Sequence, residues 1–166
     1  PLFELEDELL IKYSNEESKY AKNRYAIRRE FWKQLLVKVK DTELFSNVNP
    51  TNAHWLSSGA GISGLNYSFV VASKYARIEL GIVTSSKEKN KDYFKKIFKQ
   101  KEAIESSFGY LLEWEELPEN KMSRIKYEID DVNLHNRDDW EKMTGFLIEN
   151  LPKFEKSFES VIKGLR

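Results

Sequence analysis

Four groups of residues in this 166-residue chain have the composition of reactive or binding sites: a glycine-rich turn, acids on alternating segments, two histidines and two runs of cations. Gly59-Ala60-Gly61-Ile62-Ser63-Gly64 matches G-x-G-x-x-G. In a dinucleotide site that pattern follows a strand and opens a helix, whose N-terminus holds the pyrophosphate. Here an alternating strand pattern follows it, and the acid about 20 residues on is Glu79, inside the next strand pattern. The turn reads as a flexible connection into a hairpin.

Glu79, Glu113 and Glu115 fall on alternating segments, where converging carboxylates would hold Mg²⁺ for water activation. A PD-(D/E)XK nuclease core needs an acid on its second strand and acid-x-Lys on its third. Leu65–Ala72 holds no acid, and Glu79-Leu80-Gly81 puts Gly where Lys is required. Glu79 is expected to be a solvated strand residue paired with Arg77 or Lys126. Asp130, Asp131, Asn133, His135, Asp138 and Asp139 match no standard metal loop, and Asp138 reads as the N-cap of the last helix. Neither His54 nor His135 has a Ser or a second His at a telling distance; His54, beside Trp55 and close to the glycine turn, is the better placed. No catalytic set, metal-ligating set or cofactor follows from these residues.

The cations give the strongest lead. Arg24 and Arg28 stand at i, i+4, as do Arg29 and Lys33, and Lys91, Lys95 and Lys99 make a three-rung ladder. Cations in such rows follow a phosphate backbone and displace its counterions. The seven are the expected nucleic-acid-binding residues, against the plainer reading of two solvated faces. Net charge is zero, yet residues 19–40 carry eight bases and one acid, residues 87–101 seven bases and two acids, and residues 102–139 eleven acids and four bases.

These residues need a scaffold, and the hydrophobic periodicity supplies one. Ser14-Asn15-Glu16-Glu17 reads as a capping box that starts a helix running to about Lys40, with Ile27, Phe31 and Leu35 on its apolar stripe. Residues 41–51 read as loop, 53–56 as a short strand and 57–64 as a turn. Segments 65–72 and 75–83 alternate on either side of Ser73-Lys74, which predicts an antiparallel hairpin. A second helix is expected over about 86–107, with Phe94, Ile97, Phe98, Ile104 and Phe108 buried and Gly109 ending it. Two strands follow, around Leu112–Glu115 and Arg124–Ile129. A last helix starts near Asp138, with a kink or break at Pro152. The fold class is α+β: a mostly antiparallel sheet of about five strands, covered on one face by three helices, in the order αβββαββα. Residues 1–13, with Leu2, Phe3, Leu9, Leu10 and Ile11, read as a lead-in, and 14–166 as one domain.

Size and composition fit a globular domain with a real core. There is no Cys, which removes thiolate nucleophiles, disulfides and cysteine metal sites and fits a reducing, cytoplasmic compartment. No run approaches the roughly 18 apolar residues of a membrane span. The chain opens on Pro1 rather than Met, as expected of a piece cut from something longer.

Arg29-Glu30-Phe31-Trp32, Trp55-Leu56, Ile104-Glu105-Ser106-Ser107-Phe108-Gly109, Leu112-Glu113-Trp114-Glu115 and Ser123-Arg124-Ile125 resemble the uncharacterised family called domain of unknown function 4268. The likeness covers roughly residues 25–165. It implies a C-terminal module of bacterial and archaeal proteins whose N-terminal part is often restriction-endonuclease-like, and it transfers no catalytic residue. The expected function is a non-catalytic accessory domain of a DNA-processing protein, with nucleic acid and an upstream nuclease-like domain as partners. A protein-interaction or homo-oligomerising module is the second reading, motivated by the apolar lead-in. A degenerate PD-(D/E)XK-type nuclease using Glu79, Glu113 or Glu115 is the third.

Overall fold

The computed structural model describes the backbone of residues 2–166 and the side chains of residues 6–16 and 18–166. Helix α1 spans Leu2–Val39. No Gly or Pro interrupts that stretch and few of its residues are β-branched, so propensity carries the helix through. Ser14 therefore lies inside a helix, where a cap was expected. Its capping partner Glu17 and the apolar Leu2 and Phe3 have side chains outside the described residues.

Five strands follow in one antiparallel sheet: β1 Trp55–Gly59, β2 Leu65–Val71, β3 Tyr75–Ile82, β4 Glu113–Glu115 and β5 Ser123–Asp130, in the order β1-β2-β3-β5-β4. The predicted α+β class and strand count match. Strand β1 starts later than expected and includes Ser57 and Ser58, so the turn proper covers residues 60–64. Gly61 and Gly64 take positive φ there, at 94° and 87°.

Alternation sorts the sheet into two faces. Leu56, Leu65, Tyr67, Phe69, Val71, Ala76, Ile78, Leu80, Ile82 and Ile125 point to one side and join the single core cluster. Val70 is also buried but lies outside that cluster, on the opposite face. The helices cover the apolar face. Phe31 of α1 meets Trp140 edge-on at 5.4 Å, and Phe154 of the last helix meets Tyr67 at 6.1 Å.

The expected single helix over 86–107 is two: α2 Lys87–Phe98 and α3 Lys101–Phe108. Ser86 caps α2 by accepting from the Lys89 N–H at 3.1 Å. Gln100 turns the chain at φ −101°, ψ 14°. Phe98 is left 45% exposed, outside the buried row expected for it, while Ile104 and Phe108 are carried into the core. Gly109 ends α3 at φ 98°. The last helix, α4, spans Trp140–Lys163 and runs through Pro152 unbroken. A short 3₁₀ turn, Arg137–Asp139, precedes it, capped by Asn136 rather than Asp138. Among the described residues no helix is long and apolar enough to cross a membrane.

The two glycine types in the β1–β2 connection predict opposite outcomes. A Cβ on Gly64 would sit 2.9 Å from the Thr84 Cα, at a positive φ. Gly64→Ala should cost roughly 2–3 kcal/mol in denaturant unfolding. At Gly59 nothing lies within 4 Å of such a Cβ, and Gly59→Ala should stay within about 0.5 kcal/mol of the parent.

Candidate functional site

The face of the sheet opposite the core carries the charged residues of β3, β5 and β4. Antiparallel register sets Arg77 opposite Glu128, Glu79 opposite Lys126, Glu113 opposite Lys126 and Glu115 opposite Arg124. Cross-strand neighbours of opposite charge attract, and here they close into a network. Arg77 Nε donates to Glu79 at 3.1 Å and its Nη1 to Glu128 at 3.4 Å. Lys126 Nζ reaches Glu115 at 3.2 Å, Glu128 at 3.3 Å and Glu113 at 3.6 Å. Arg124 Nε donates to Glu115 at 3.2 Å.

Glu79 is paired as expected, but it is 9% exposed and Arg77 8%, so this pair is buried rather than solvated. The three acids weighed as Mg²⁺ ligands are each matched to a cation. Burial pushes the Glu115 carboxyl up, yet hydrogen bonds from Arg124 and Lys126 outweigh it and hold the group below the usual carboxylate value. The same bonds raise Lys126 and Arg124 against the opposing pull of burial. Among the described residues no group of three or more His, Asp or Glu is placed to hold a metal ion. In the Asp130–Asp139 segment the polar atoms shape a turn: Asp139 accepts from the Asn133 N–H, and Asn133 from the His135 N–H.

One end of this face meets α1. Trp32 Nε1 donates to the Ala53 carbonyl at 2.8 Å, and Arg29 Nε to Asn52 Oδ1 at 3.0 Å. Arg28 Nη1 reaches the Asn52 carbonyl at 3.3 Å. These bonds fix the entry to β1, where His54 stands edge-on to Trp55 at 4.8 Å. Trp55 is 48% exposed. Burial, then the charges of Arg28 and Arg77, hold the His54 imidazole below its ordinary value, so both guanidinium groups act on this ring from different elements. Beside it a concavity of about 400 Å³ is floored by Val70, Ser57 and Ser68 and walled by Trp55, Arg77 and Arg124. Ser57 and Ser68 share a 2.7 Å hydrogen bond across β1 and β2.

The seven predicted cations do not form one surface. Arg24 lies over Tyr25 at 5.3 Å and Tyr20 at 5.9 Å. Burial, then the charge of Arg24, lowers the Arg28 guanidinium. Arg29 and Lys33 are exposed. The α2 ladder starts at the other end of the sheet, after Ile82, roughly 20 Å away by strand length and beyond the Debye length. Lys91 leaves the expected set. Its ammonium, with three N–H donors, lies 2.5–2.9 Å from four acceptors, the carbonyls of Glu116, Leu117 and Met122 and Ser123 Oγ, and clamps the β4–β5 connection. Lys95 and Lys99 stay exposed. A lysine serving as a carbonyl clamp has no sequence signature, because its acceptors are backbone atoms more than 20 residues away.

The glycine turn is the tip of the β1–β2 hairpin, and the cavity beside it, of about 350 Å³, is lined by Glu43, Glu155, Glu159, Tyr67, Lys163 and Arg166. Burial, then Glu159 and Glu43, pushes the Glu155 carboxyl up, and three carboxyl groups against Lys163 and Arg166 leave the lining without the positive excess a pyrophosphate needs.

A model of the family described as "Domain of unknown function (DUF4268)" matches residues 27–162. No curated protein matches the chain, and no solved structure does.

Since the folded Glu115 carboxyl titrates below its unfolded value of 4.5, its contribution is complete above that value and lost as pH falls through the folded one. Glu115→Gln should cost roughly 1 kcal/mol at neutral pH. It should also flatten the fall in stability below pH 4.5, followed by unfolding across an acid series.

Proposed function

This chain belongs to the DUF4268 family, and we propose that it is a non-catalytic docking domain that binds single-stranded nucleic acid where α1 meets the open face of the sheet. It would serve a restriction-endonuclease-like partner domain in a cytoplasmic prokaryotic protein. The observation that carries the reading is the meeting of Arg28, Arg29, His54, Trp55 and Arg77 at one corner, two of the arginines acting on the same imidazole.

The chemistry suits the ligand. Guanidinium groups engage phosphate oxygens, and a half-exposed indole offers a stacking surface to an unpaired base. The adjoining concavity is large enough for one planar heterocycle, and hydroxyls and an amide at Ser57, Ser68 and Asn66 lie along it. Hydrolysis is not part of the proposal, because each nearby carboxylate is held by a cation.

Anisotropy titration of a labelled single-stranded oligonucleotide against the full chain tests it. Trp55→Ala should weaken binding roughly tenfold, and Arg28→Glu with Arg29→Glu should weaken it further and shallow the salt slope by about one to two units. Lys95→Glu with Lys99→Glu should change little. A phosphate near His54 favours the imidazolium, so binding should tighten as pH falls through the region below 6.5, and His54→Gln should remove that dependence. Absence of salt-sensitive binding to any oligonucleotide would overturn the proposal.

A further inference from the structure

We infer that the exposed half of α1 pairs antiparallel with the same helix of a second copy of this chain. Every described side chain from Glu6 to Asn23 is exposed except that of Ala21, which is half-buried. Leu9, Leu10, Tyr13 and Tyr20 are 51–67% exposed. With 3.6 residues per turn, Leu9, Tyr13, Tyr20, Ile27 and Phe31 form one row along the helix. Phe31 is fully buried and Ile27 packs against the core. The row that enters the core at one end is therefore bare at the other. Most helical stability in proteins comes from packing an apolar face, and the described residues of this half of α1 have none packed. Arg24 stands in the same row with its Nε buried and without a hydrogen-bond partner among the described residues.

Charge selects the occupant. Residues 4–17 carry six acids and one base, and residues 19–33 carry six bases and one acid. A parallel copy would set like against like. An antiparallel copy, related by a two-fold axis near residue 18, sets the half bearing Glu6 and Glu16 beside the half bearing Arg24 and Arg28. That is the self-complementarity an isologous contact requires. Overlap from residue 6 to residue 29 makes a seam about 35 Å long. The folded bodies, which begin where Ile27 packs on the core and Arg28 and Arg29 reach Asn52, lie at opposite ends of the pair. Arg28 borders both surfaces, whereas Arg29 and Lys33 point to the other side of α1; the pairing is argued from the bare row and its charges and does not rest on the nucleic-acid reading.

Sedimentation of the full chain over a range of concentrations should show a reversible dimer. Tyr13→Glu with Tyr20→Glu should weaken it at least roughly tenfold while leaving the unfolding transition of the body in place. Glu6→Lys with Glu16→Lys in one chain, and Arg24→Glu with Arg28→Glu in another, should each be monomeric alone and dimeric when mixed. The chain has no cysteine, so Asp7→Cys carries a single spin label. Two labels should lie about 30 Å apart in the antiparallel pair, against roughly 10–15 Å in a parallel one. A monomer at every concentration, a dimer indifferent to these substitutions, or the short label distance would each overturn the inference.

Discussion

The two-residue alternation of β3 and β5, locked in antiparallel register, decides where everything else in this protein lies. Arg77, Glu79, Arg124, Lys126 and Glu128 fall on one side of the sheet, and Ala76, Ile78, Leu80, Ile82 and Ile125 on the other. A slip of one residue would turn Arg77 and Glu79 of β3, or Arg124, Lys126 and Glu128 of β5, into the core, where an unpaired charge costs several kcal/mol. The ladder of opposite charges is therefore as much a register device as a source of stability. Removing Arg77 leaves Glu79 buried without its paired cation, whereas the exposed Arg137–Glu30 pair, at 2.8 Å, ties the turn before α4 to α1 with little desolvation.

That sorting also separates structure from function. The apolar side receives α4, α2 and the last turns of α1, and it is closed. The polar side meets a helix only at its edge, where α1 bonds the entry to β1, and its carboxylates are occupied by neighbouring cations. What is left free there is guanidinium groups with spare N–H donors, an exposed indole and an imidazole whose pKa burial and two positive charges lower. Helix α1 contributes to both sides. One flank closes the core and the other carries Arg29 and Lys33 outward.

Much of this was legible in the sequence, for identifiable reasons. Strands β2, β3 and β5 were readable because alternation is strict and a short turn separates the first two. Gly109 marked a helix end because the chain needs positive φ there. The start of α1 was not readable at Ser14, since a capping sequence acts as a cap only where the preceding residues cannot continue the helix. The break between α2 and α3 carries no Gly or Pro. It follows from tertiary packing that draws Phe108 onto Phe154, at 5.8 Å, while Phe98 stays outside over Trp114. Runs of cations were visible, but their division was not: Lys91 is spent on backbone carbonyls, and the arginines of α1 sit beside His54 and Trp55 because residues 24 and more positions apart meet only in the fold. Burial of the Arg77–Glu79 pair was likewise hidden, because alternation shows which face a residue takes and not how crowded that face is.

The proposed recognition site is the corner shared by α1, the entry to β1 and the open face. The most direct test is to follow backbone amide resonances of the full chain as an unlabelled single-stranded oligonucleotide is added at low salt. The account predicts that shifts concentrate at residues 24–33, 52–57, 66–70 and 77–79. Shifts confined to α2 around Lys95 and Lys99, or to the acidic cavity beside the β1–β2 tip, would contradict it.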